Sequence, residues 1–226
     1  MLLPEPELRR YWSDLMWAMG IVKPKGTPPR AATEVFDRLI AEYSQANRFY
    51  HNLSHIAFVL FIIDQLTSDL NVEDTEAIFL AAWFHDVIYD SRAGDNEETS
   101  TRYAHKALRQ LNAPGETIDE VSRLILATKS HRADRDDLNA QILLDADLAI
   151  LGAHPDDYDD YARAIRKEYA WVSEDKYRAG RTQVLEGFLS RESIYFTGPM
   201  RDTHEAQARR NISRELYLLA EDGDAA

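Results

Sequence analysis

Apolar residues recur along this chain at intervals of three and four, and polar or proline-containing stretches bracket each such segment. No segment alternates apolar and polar positions between hairpin turns, so the pattern predicts an all-α fold of about ten helices joined by short loops. Thr27, Pro28 and Pro29 read as the entry to a helix over 31–45, because proline suits the first helical turn. Thr117 with Glu120 reads as a capping box ahead of Val121, Leu124 and Ile125. Gly152 is expected to close a helix ending at Leu151, and Pro155, Asp156 and Asp157 to open the next. Asp202 with Glu205 is expected to start the last helix, running toward Leu219. Two segments, 56–66 and 77–88, are apolar around their whole circumference and should lie buried at the centre. There is no internal repeat, low-complexity tract or long linker, and 221–226 reads as a frayed tail. The pattern is read as one domain over 1–226, its core at about 30–151 with C-terminal helices over 154–222 packed on it.

Charge narrows the partners. The chain of 226 residues has 26 Lys+Arg against 39 Asp+Glu, a net charge of −13, which opposes broad binding to a nucleic-acid polymer or an anionic membrane. The longest apolar stretches, 57–63 and 77–84, fall short of the roughly 20 residues that span a bilayer, and the first residues do not resemble a secretory signal. The expectation is a soluble cytoplasmic protein. The absence of cysteine excludes disulfides, thiolate zinc sites, iron–sulfur clusters and a cysteine nucleophile, and leaves seven histidines as the candidates for chemistry.

His85 and Asp86 interrupt an otherwise apolar run from Ala77 to Tyr89, where an unpaired buried carboxylate would cost several kcal/mol. A cation would remove most of that cost. His51 and His55 stand four residues apart, which would place both rings on one face of a helix that begins by residue 51. Asp145 and Asp147 lie in a third apolar segment. Imidazole and carboxylate donors without sulfur suit a divalent ion such as Mn, Mg, Fe, Co, Ni or Zn. The residues alone therefore predict a buried His/His/Asp/Asp metal centre.

The ordered set of His55, the doublet His85–Asp86, and Asp147 resembles the signature of the HD-domain superfamily of metal-dependent phosphohydrolases. Further stretches extend the likeness along the chain to a bacterial group of predicted metal-dependent HD phosphohydrolases: Arg48–His55, Trp83–Tyr89, Asp95–Ser100, Leu144–Gly152, Ile165–Tyr169 and Ala208–Asn211. The resemblance implies that His55, His85, Asp86 and Asp147 bind a divalent ion and that Asp86 bridges a second ion or orients water. The stretch Tyr50–His55 is also similar to the entry motif of cyclic-nucleotide phosphodiesterases, which implies a general-acid role for His51. Asp145 is read as orienting a ligand, and His131 as the candidate for a second metal or for substrate.

Lys129, Arg178 and Arg181 could clamp a substrate phosphate, with surface ion pairing as the competing use. Asp95, Asn96, Glu97 and Glu98 read as dipole complements in a first helical turn. Arg209 and Asn211 belong to the C-terminal likeness without an assigned role; His105, His154 and His204 read as surface residues; Tyr158, Tyr161 and Tyr169 should pack their helix on the core. The implied activity is hydrolysis of a small phosphorylated metabolite, a nucleotide or other phosphoester, by metal-activated water. A di-iron oxygenase on the same fold and a non-catalytic nucleotide-sensing module are the alternatives, and oligomeric state is left open.

Overall fold

The computed structural model describes residues 5–21 and 29–221, and among them it is all-helical. The elements run α1 (Glu5–Ala18), α2 (Arg30–Tyr43), α3 (Leu53–Asp69), α4 (Glu76–Phe84), α5 (Asn96–Gln110), α6 (Gly115–Thr128), α7 (Leu138–Asp147), a 3-10 turn (Leu148–Gly152), α8 (Pro155–Glu168), α9 (Glu174–Leu189) and α10 (Gly198–Glu221). The expected all-α architecture of about ten helices is borne out. No helix among the described residues is long and apolar enough to cross a membrane. The helix entry read at Thr27 and Pro28 and the tail after Glu221 lie outside the described residues.

The chain divides into two compact units, Met1–Ala146 and Asp147–Ala226. The division falls inside α7, whose residues other than Asp147 all belong to the first unit. In the first unit, Trp12 of α1 packs edge-on against Trp83 and Phe84 of α4, while its indole N–H donates to Ala32 O on α2 at 3.0 Å. Burial of that ring is compatible with its polar atom because the atom is bonded. The apolar faces of α3 and α4 fill the centre of this unit. Their all-round apolar character overstates the burial of α3, however, since Phe61 is exposed beside Asp64 and Gln65.

Several boundaries differ from the sequence expectation. Helix α4 stops at Phe84 rather than continuing to Ile88, and the chain turns at His85 and Asp86. Helix α6 begins at Gly115 after Pro114, so Thr117 lies within the helix and caps nothing. Proline's fixed φ sets this entry without a side-chain cap. Helix α10 begins at Gly198, a turn before Asp202. Glu205 is used differently: its carboxylate accepts from the backbone N–H groups of Ile194 and Tyr195 and from the Ser193 hydroxyl.

In the second unit α10 carries most of the polar fastening. Asn211 donates to Leu151 O and Ala153 O, both at 2.9 Å, satisfying carbonyls at the end of the 3-10 turn. Arg209 donates to Leu189 O, Arg191 O and Glu192 O, closing the C-terminal end of α9. Both residues of the C-terminal likeness thus serve packing. Gly152 does not end an α-helix; it sits where the 3-10 turn meets α10, and a Cβ there would lie 2.7 Å from His204 Cβ and 2.8 Å from His204 O. His204, expected on the surface, is half-buried by this approach, and burial lowers its imidazole pKa. The Pro155 start of α8 is as expected, and Tyr158 is fully buried as a packing residue.

Candidate metal centre

The site begins with the segment before α3. Asn52 is the N-cap, its side-chain oxygen accepting from Ser54 N at 2.8 Å while its amide donates to Phe49 O. The cap places His55 in the first helical turn, where it is buried, and leaves His51 outside the helix. The two histidines therefore do not share a helix face, contrary to expectation. The turn before α3 nevertheless brings their rings to 5.8 Å between centroids. Tyr50 contacts both rings, and His51 stacks on Tyr89 at 4.0 Å.

The second contribution comes from the end of α4. The His85 N–H donates to Ala81 O, and its ring Nδ1 donates to Ala82 O at 2.8 Å. A carbonyl only accepts, so Nδ1 carries the proton and Nε2 of the neutral ring offers a lone pair. That Nε2 lies 3.2 Å from His55 Nε2 and 3.2 Å from Asp86 Oδ2. Asp86 Oδ2 is in turn 3.6 Å from His55 Nε2 and 4.0 Å from His51 Nε2.

Asp147, the last residue of α7, completes the set: one ligand atom each from His55, His85 and Asp147 lies within 4.8 Å of the others. Two of these side chains are buried and the third is half-buried. A divalent ion fits the donors. His85 Nε2 and the Asp86 carboxylate are both acceptors at 3.2 Å, an arrangement that repels unless a cation or proton mediates it. A backbone carbonyl fixing the far nitrogen of a ligating imidazole is also the usual support of a metal-bound histidine.

Asp145 is fully buried, but at two residues from Asp147 it projects from a different side of α7. His131 follows α6 with a left-handed φ of 47° and is not one of the three grouped ligands. Lys129 is paired with Glu98 and donates to Gly94 O at 3.0 Å. Its hydrogen bond holds Glu98 below the ordinary carboxylate range. Lys129 thus fastens α5 to the end of α6 rather than presenting a free cation to phosphate.

The two arginines read as phosphate clamps belong to the second unit and have structural partners. Arg178 donates to Leu219 O near the end of α10 at 2.9 Å. Arg181 is buried in a two-pronged pair with Glu215, at 2.8 and 3.1 Å, and donates to Tyr161 OH. Both side chains are thus used in holding α9 to α10 and α8 within the second unit.

Three supports were not singled out by sequence reasoning. Ser100 Oγ bonds both the N–H and the C=O of Ile88, and Asn96 bonds both backbone groups of Asp90, so α5 holds the chain after the His85–Asp86 turn. The sequence pattern marks Asn96 only as a first-turn polar residue. Arg48, a buried guanidinium whose bonds reach His51 O, Asp86 O and Val87 O, is the third. Tyr43 adds a bond to Trp83 O, and burial, followed by the Asp86 charge, pushes its hydroxyl well above the ordinary range, keeping it a donor. Comparison with protein-family models, with curated proteins and with solved structures finds no match to this chain.

Proposed function

We propose that the chain is a metal-dependent phosphohydrolase acting on a small phosphorylated metabolite, with His55, His85 and Asp147 holding a divalent ion beside Asp86. The observation that carries this reading is the convergence of those three ligand atoms within 4.8 Å in a largely buried setting. When bound, such an ion acidifies water and neutralises phosphoryl oxygens. Carboxylate and imidazole donors without sulfur are compatible with Mn, Mg, Fe, Co, Ni or Zn.

The chain's own groups account for the remaining needs of phosphoester hydrolysis. Water forms the new bond to phosphorus, the ester P–O bond breaks, and the departing oxygen needs a proton. His51 is placed to give it from its ring: it stands outside the three-ligand group, is held by stacking on Tyr89, and lies 4.0 Å from Asp86 Oδ2. Asp86, close to three imidazoles, orients the attacking water or shares the ion. The resemblance to HD-domain phosphohydrolases supports His55, His85 and Asp147 as ligands and adds Asp86 to them, and the likeness of Tyr50–His55 to cyclic-nucleotide phosphodiesterases supports the role of His51.

Turnover of a panel of phosphomonoesters and phosphodiesters with added Mn, Mg, Co and Ni tests it. Metal-dependent release of phosphate or alcohol is expected, abolished in His85→Ala and Asp147→Asn. His51→Asn should retain metal binding while losing about 10²–10⁴-fold in kcat, the usual worth of a general acid. No turnover under any metal condition, or turnover indifferent to His85→Ala, would refute it.

A further inference from the structure

We infer that Arg48 is the positioning residue of the centre, a buried guanidinium clamp that sets the backbone of Asp86 and His51 together. This rests on the metal-dependent reading above. Arg48 Nη1 donates to His51 O at 3.0 Å and to Asp86 O at 2.6 Å, and Nη2 donates to Val87 O at 2.7 Å. The carbonyls come from chain segments on opposite sides of α3 and α4, so one planar group ties the entry of α3 to the turn that leaves α4.

The placement of the clamp is itself fixed. The guanidinium carbon stands 5.0 Å from the Tyr43 ring and 5.9 Å from the Tyr89 ring, and Tyr43 also bonds the Trp83 carbonyl one turn before Asp86. Tyr89 in turn stacks on His51. Movement at Arg48 would therefore alter the carboxylate at Asp86 and the ring at His51 together, although Arg48 itself bonds only backbone at both. Lysine offers a single point of charge in place of a fork and cannot hold three carbonyls in this plane.

The test uses Co(II) as the probe, binding to full-length wild type and to Arg48→Lys and Arg48→Met, with the visible Co(II) spectrum, the melting temperature of the metal-free protein, and kcat and KM for the best phosphoester of the panel. Expected are folded variants whose Co(II) affinity is about 10–100-fold weaker with an altered spectrum, the loss typical of removing a support behind a metal ligand. Turnover should fall in kcat while KM is unchanged. A folded variant that binds Co(II) with wild-type affinity and spectrum overturns the clamp and leaves the metal reading standing. Wild type that binds no Co(II) overturns both. If both variants fail to fold, the Arg48 guanidinium resonances of ¹⁵N-labelled wild type decide: they should shift on Zn(II) addition, and unchanged resonances overturn the clamp.

Discussion

Replacing Arg181 with methionine isolates what its buried ion pair does. Arg181 and Glu215 have side-chain exposures of only 8% and 11%, and the pair is two-pronged. Tyr158 donates to the same carboxylate, and burial pushes that tyrosine's hydroxyl far above its ordinary range. Arg181→Met leaves Glu215 as an uncompensated, mostly desolvated carboxylate, a change that costs about 3–5 kcal/mol. At about 2–4 °C per kcal/mol for a chain of this size, the melting temperature should drop by about 6–20 °C. The double variant Arg181→Met with Glu215→Leu removes both charges. It leaves the Tyr158 and Tyr161 hydroxyls to lose a partner each, at about 1 kcal/mol apiece, so it should be more stable than either single variant. Thermal and urea melts followed by circular dichroism complete the cycle. Additive single and double variants would refute the pair as the energetic unit. So would an unchanged melting temperature accompanied by lost phosphoester turnover, which would return Arg181 to the phosphate-binding role expected from sequence.

Gly152→Ala should cost about 1–3 kcal/mol, since the added Cβ meets a backbone oxygen of α10 at 2.8 Å that cannot rotate away; a melting temperature equal to wild type would contradict the close approach. His204 gives a pH dependence. Its folded pKa is lowered by burial, so below the unfolded value of about 6.5 the unfolded chain binds more protons, and this contribution to stability, full above that pH, is lost as the pH falls through the folded pKa. The stability difference between wild type and His204→Gln should therefore shrink on acidification from about pH 6.5, measured by urea melts, and a growing difference would reverse the sign.

What could be read from the sequence, and what could not, follows from the range of each interaction. Helical periodicity is local, so the fold class was legible. His55, His85, Asp86 and Asp147 were legible because ionisable groups inside apolar runs demand compensation, and the chain order of the four carries a resemblance. Arg48 gave no comparable signal: its partners are backbone carbonyls, two of them 38 and 39 residues away, and a carbonyl looks the same under every side chain. Ser100 and Asn96 escaped for the same reason. The partners of Arg178 and Arg181 were not legible, because the polar sequence of α9 gives no hydrophobic pattern to announce the burial of Arg181 against Glu215. The place of His51 was missed through Asn52, a favoured N-cap residue, which starts α3 after His51 rather than before it.

The most direct test of the metal centre is anomalous diffraction from crystals of the full chain grown with zinc, collected on both sides of the absorption edge. The account predicts one strong peak among His55, His85 and Asp147, at about 2.0–2.1 Å from imidazole nitrogen, and its loss in His85→Ala. A site that stays without anomalous density at saturating zinc, or a peak held by other residues, would contradict it.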